Sequence, residues 1–130
     1  MCLRGASEVE SQLFAKEPSP QLRGYAVWVP KSGASAADLS SATARANDPR
    51  ILQLWDERGL ELAAFRAPLH LTSDAWDVYL VYAPGVRWAG ATPPVPAYFM
   101  HQLDALAGSG VPELDGAIFA TQARARLPHP

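Results

Sequence analysis

The stretch from Asp74 to Trp88 constrains this chain more than any other, because its side chains suit only an extended backbone. Trp76, Val78, Leu80 and Tyr82 alternate with Asp77, Tyr79 and Val81, a period of two. β-Branched and aromatic residues prevail, the composition of a strand with at least one fully buried face. Ala83, Pro84, Gly85 and Val86 then read as a turn. Proline sets its own φ at about −65°, and glycine accepts the positive φ that a type II turn needs next. Val86, Arg87 and Trp88 are expected as the returning strand, so the segment predicts a central β-hairpin.

A chain of 130 residues is one domain with room for a proper core. Its net charge of −2, without clustered Lys or Arg, gives no electrostatic footprint for nucleic acid, and no such partner is expected. No apolar run approaches the roughly 20 residues that span a bilayer, so no membrane segment is expected either. Residues 1–5 lack the apolar core of a signal peptide, which points to a soluble, cytoplasmic protein. A single cysteine, Cys2, leaves no internal disulfide, and the fold must rest on packing.

Along the chain, Ser7 with Glu10 three residues on forms a capping-box pattern for a helix over residues 6–16, with Val9, Leu13 and Phe14 as its apolar stripe. Pro18 and Pro20 stop it. Residues 24–29 are a near-continuous apolar run of strand length, suited to an interior strand. Ser35 is a good N-cap for a helix over 36–46 that is rich in small residues. Residues 50–55 predict a second strand, followed by a turn at 56–59 and a short helix over 60–65. Pro96 is expected to open a helix carrying Tyr98, Phe99, Leu103 and Leu106 on one face, with Gly108 as its C′ residue. Leu114, Ile118 and Ala125 could lie on a last helix before a frayed end. Alternating helices and strands argue for an α/β sandwich with parallel pairing, to which the late hairpin adds an antiparallel strand.

This order, with a hairpin late in the chain and a helix after it, resembles the thioredoxin-like fold, and more narrowly its peroxiredoxin-like and thiol–disulfide reductase-like branch. The apolar strand around Tyr25 and Val29, the strand ending in the Asp56 turn, and the glycine of the hairpin turn, Gly85, carry the likeness. It covers residues 2–106 and implies a three-layer sandwich on a mixed central sheet, lacking the family's first strand. Residues 1–108 would form that domain and 109–130 a partly helical or frayed extension. Family members begin with a strand leading into C-x-x-C at a helix start, where backbone N–H groups and the helix dipole lower a thiol pKa. Cys2 matches one motif cysteine by position. If it is the first, Gly5 stands where the second belongs; if it is the second, the first lies before Met1. Ser73 and Asp74 occupy the stretch where the family places its cis-proline, so Ser73, Asp74 and Ala75, with Trp28, become the implied substrate-binding residues. The peroxiredoxin arrangement, a proline and a threonine or serine shortly before a reactive cysteine, is absent.

Candidate chemistry is therefore sparse. Cys2 is the one candidate catalytic residue, a thiolate that would act on a thiol or disulfide protein partner; otherwise it is a leftover cysteine near a terminus. His70, His101 and His129 match no ligand spacing, so neither metal nor cofactor is expected. Asp56 reads as a turn residue. Asp77, inside an apolar strand, needs a partner such as Arg50 or Arg87. Trp28, Trp55, Trp76 and Trp88 invite a ligand-pocket reading, but an aromatic core cluster accounts for them. Residues 92–96 suit a rigid connector better than a ligand for a proline-binding module. The expected function is a domain of thiol-redox ancestry without full dithiol oxidoreductase activity, or a non-catalytic binding domain of the same fold. Loss of the first strand would leave an unpaired edge, which predicts homodimerisation.

Overall fold

A computed structural model describes residues 3–128. Among the described residues the fold is mixed α/β, with four α-helices and two small sheets. Helix α1 spans Leu3–Val9 and runs directly into a π-helical stretch, Glu10–Phe14. Strand β1, Gly24–Trp28, leads through a 3₁₀ turn (Ala36–Asp38) and α2 (Leu39–Thr43) to β2, Ile51–Trp55. Helix α3 (Leu60–Ala64) precedes β3 (Val78–Val81); β4 (Tyr98–His101), a 3₁₀ turn (Asp104–Leu106) and α4 (Gly116–Arg124) complete the order.

β1 and β2 pair in parallel, with Tyr25 opposite Leu52 and Trp28 opposite Trp55. β3 and β4 pair antiparallel, with Tyr79 opposite Met100 and Val81 opposite Tyr98. The four strands form two separate two-stranded sheets instead of one mixed sheet. Side-chain packing joins them: the Phe14 ring lies against Gly24 and Ile51, and Phe14 belongs to the same apolar cluster as Val81 and Met100.

The sheet β3–β4 is the centre of the fold, and its period of two is what the packing uses. Tyr79, Val81, Tyr98 and Met100 face a cluster built from Leu13 and Phe14 of the first helix and Phe119, Ala120 and Ala123 of α4. Val78, Leu80 and Phe99 face a second cluster of Leu69, Leu71, Ala75 and Leu103. Both faces are thus covered, which explains the nearly continuous apolar character of both strands.

Three expectations are corrected here. The strand paired with β3 is Tyr98–His101, not Val86, Arg87 and Trp88, which lie exposed in a connection over residues 82–97. The Pro84–Gly85 turn does form, with Gly85 at φ 82° and Val86 N–H donating to Ala83 O. A strand returning from it would push Arg87 into one of two apolar faces, whereas Tyr98, Phe99 and Met100 suit both. The helix expected from Pro96 is accordingly that strand plus a short 3₁₀ turn, although Gly108 does take a positive φ of 73°. The first helix also begins upstream of Ser7, so no capping box forms there. Burial of Gly5 against Tyr79 extends it. Ser35 does cap its segment, sharing a capping box with Asp38.

Residues 109–128 hold α4, which packs on the first helix. Asp115 caps α4 by accepting from the N–H groups of Ala117 and Ile118, both at 2.9 Å. Glu8 of α1 accepts from Gly116 N–H at 2.6 Å, and Arg124 donates to Gln12 O at 3.0 Å. The first and last helices are thereby bonded to one another as well as packed.

Candidate functional site

The Ser73–Asp74 stretch lies in the turn before β3 and lines an open cleft of about 460 Å³. Lys31, Arg66, Trp76 and Asp104 line the same cleft. The Arg66 guanidinium pairs with Asp74 across the turn, and Lys31 Nζ sits 6.0 Å from the centre of the Trp76 ring. Two cations, two carboxylates and one aromatic face therefore meet there, with charges largely balanced. Such a site offers hydrogen bonds and a stacking surface.

Of the four residues implied as substrate-binding, Ser73 and Asp74 reach this cleft. Ala75 sits beneath it, 8% exposed among Leu69, Leu71 and Leu103. Trp28 does not line the cleft: it is buried in β1, its indole N–H donating to Gln53 Oε1 at 2.7 Å. Gln53 in turn donates to Ala46 O, which holds the residues after α2 against that face of the parallel sheet. Lys31 and Arg66 were not foreseen as site residues. Arg66 and Asp74, opposite charges flanking the turn that contains Pro68, were the available signal.

The four tryptophans are not one cluster. Trp28 and Trp55 are neighbours on β1 and β2. Trp76 packs on the second core cluster. Trp88, 48% exposed, stands edge-on to Phe65 at 5.6 Å and donates to Gly90 O.

Cys2 and His129 lie outside the described residues. The packing of Gly5 nevertheless bears on the motif. A Cβ at this position would fall 1.8 Å from the Tyr79 hydroxyl oxygen and 2.7 Å from Gln102 Oε1. Neither cysteine nor any other side chain fits at position 5 in this packing. The Tyr79 hydroxyl donates to Asp77 Oδ1 at 2.7 Å, so Tyr79, and neither Arg50 nor Arg87, is the partner of that buried carboxylate. Arg50 is engaged elsewhere, with Asp48 at 2.8 Å and with the carbonyls of Phe14 and Ser19. The Arg50 side chain and backbone N–H hold the Asp48 carboxyl down at about 2.

His101 belongs to β4, in place of the helix expected from Pro96, and is fully buried. Its Nδ1 accepts from Leu103 N–H at 3.0 Å, so Nε2 carries the hydrogen and donates to Val111 O at 3.2 Å. Both ring nitrogens are thus occupied by backbone and unavailable to a metal. Among the described residues, no three of His, Cys, Asp and Glu converge on one point.

One carboxyl pair was missed. Asp56, at the end of β2, accepts from Arg58 and Glu61 N–H and so caps α3. Burial, then the Asp56 carboxylate, pushes Glu61 up to about 6. Hydrogen bonds to Asp56 outweigh its own burial and hold it below the ordinary value. Asp56 thus does more than shape a turn.

Among the described residues no helix is long and apolar enough to cross a membrane. No family model, no curated protein and no solved structure matches this chain.

Proposed function

We propose that this chain is a binding domain of thioredoxin-like, thiol-redox ancestry that holds a partner polypeptide at the Ser73–Asp74–Trp76 cleft without dithiol oxidoreductase chemistry. One observation carries the reading: the stretch that the family uses for substrate docking lines an open cleft, while the motif position Gly5 has no space for a second thiol. The ancestry is supported by the element order, in which a parallel pair separated by a helix precedes an antiparallel pair followed by a helix. The charge-balanced cleft suits peptide amides and paired charges better than a strongly ionic ligand.

The reading is tested at both of its ends. Cys2 should alkylate with iodoacetamide at the rate of an ordinary exposed thiol, and the protein should not accelerate reduction of insulin by dithiothreitol. A photo-crosslinking residue at Ser73 should trap a protein in cells, and Trp76→Ala should abolish the adduct while Cys2→Ser leaves it. Fast alkylation near neutral pH together with catalysed insulin reduction would return the chain to the oxidoreductases.

A further inference from the structure

The outer face of β1–β2 breaks the usual rule for parallel strands. Such strands are normally covered on both faces. Here Tyr25 is 70% exposed, Leu52 53%, Leu54 42% and Val27 37%. The register places Tyr25 beside Leu52 and Val27 beside Leu54, so the four form one continuous apolar strip. At the strands' N-terminal end the strip runs into a hollow of about 630 Å³, whose walls include Tyr25, Leu52, Pro20 and Pro49. Its charged lining is Arg23 and Arg50, with no carboxylate. Arg50 is neutralised by Asp48, outside the hollow. Arg23 bonds only backbone carbonyls, those of Pro20 and Leu22, and meets no carboxylate among the described residues.

We propose that this face docks an extended, acidic segment of a partner protein, its carboxylate on Arg23 in the hollow and its apolar side chains on Tyr25, Leu52, Val27 and Leu54. The surface is separate from the Ser73 cleft and does not depend on it. Charge decides the occupant. A second copy of this chain, laid face to face, would offer its own strip, and Tyr25, Val27, Leu52 and Leu54 include no acid to meet Arg23. Covering an arginine without pairing it is costly. An acidic segment from another protein satisfies the cation and the apolar strip together. Five strand residues span about 16 Å, the length of a short extended peptide.

The test is selection of random phage-displayed peptides on the immobilised full chain, with the Leu52→Glu variant as counter-target. Enriched peptides should carry Asp or Glu beside alternating apolar residues. A synthetic lead should bind in fluorescence anisotropy, weaken as salt is raised, and lose about tenfold or more in affinity on either Arg23→Glu or Leu52→Glu. Both residues are exposed, and circular dichroism on each variant checks that the fold survives. Enrichment of basic or uncharged peptides would overturn the proposal, as would no enrichment over the counter-target or a lead indifferent to Arg23→Glu. Sedimentation velocity supplies the remaining arm. A dimer that Leu52→Glu dissociates would make a second copy the occupant and refute the acidic partner.

Discussion

Gly5→Ala is the sharpest probe of this packing, because two rules predict opposite signs for it. Inside a helix, replacing glycine by alanine ordinarily stabilises by about 1 kcal/mol. Gly5 lies within α1, but an added Cβ would stand 1.8 Å from the Tyr79 hydroxyl oxygen and 2.4 Å from Cζ of the same ring. Carbon contacts settle at about 3.5–4 Å, so the ring or the helix must move by well over an ångström. Overpacking of this kind costs about 1–3 kcal/mol. If the ring gives way, its hydrogen bond to the buried Asp77 is lost as well, at about 1.5–3 kcal/mol for a bond to a charged group. After the helix-propensity gain, the net loss falls between about 1.5 and 5 kcal/mol. Urea unfolding followed by tryptophan fluorescence reads it as a lower midpoint at unchanged slope. Gly116→Ala is a second case: its Cβ would stand 2.7 Å from Cγ of Glu8 and 2.9 Å from Cγ of Gln12, and moving Glu8 releases its bond to the Gly116 N–H, so a cost of about 1–3 kcal/mol is expected there too. A Gly5→Ala protein as stable as wild type, or more so, would show that α1 does not lie on Tyr79 as described.

Three further outcomes are expected. Glu61, held up at about 6 against an ordinary 4.5, contributes stability that is full below about pH 4.5 and falls away as pH rises through about 6. The urea midpoint should drop over that window, and Glu61→Gln should flatten the profile; an unchanged profile in the variant would remove Glu61 as its source. Met100→Ala empties a site that is 1% exposed between α4 and the first helix and should cost about 2–5 kcal/mol by thermal unfolding, whereas Ile118→Ala, at a 49% exposed position, should be nearly silent. Asp115→Ala removes the acceptor for two N–H groups of α4 and should cost about 1 kcal/mol, with Asp115→Asn restoring most of it.

The parts of the fold legible in the sequence are those decided by neighbours along the chain. β1 and β2 announce themselves as short apolar runs closed by a proline or an aspartate turn, and Ser35 caps its helical segment through Asp38, three residues away. β4 did not, because Tyr98, Phe99, Met100 and His101 include no β-branched residue and follow a proline suited to a helix start. Its extended state comes from β3, seventeen residues upstream at the nearest pair Val81 and Tyr98, and from two apolar clusters that a helix could not serve together. The upstream start of α1 depends likewise on Tyr79, a contact invisible to a local capping rule. Within the cleft, Ser73 and Asp74 were reached through a family likeness, while Lys31 is brought beside Trp76 only by folding. The buried state of His101 has the same origin: its partners Leu103 and Val111 are close in sequence, but the strand that places them is not a local product.

The bonds between α1 and α4 also carry a consequence for how the chain is made. Glu8 and Gly116 are joined across 108 residues, and the core side chains Leu13 and Phe14 wait for Phe119, Ala120 and Ala123. Closing a loop of that length costs about 4 kcal/mol in chain entropy before any of these contacts form. During synthesis from the N-terminus, the apolar face of α1 and the inner side of β3–β4 therefore stay uncovered until α4 has left the ribosome. Nascent chains halted before Asp115 should be open to protease and engaged by chaperones, and maturation should come as one late, cooperative step.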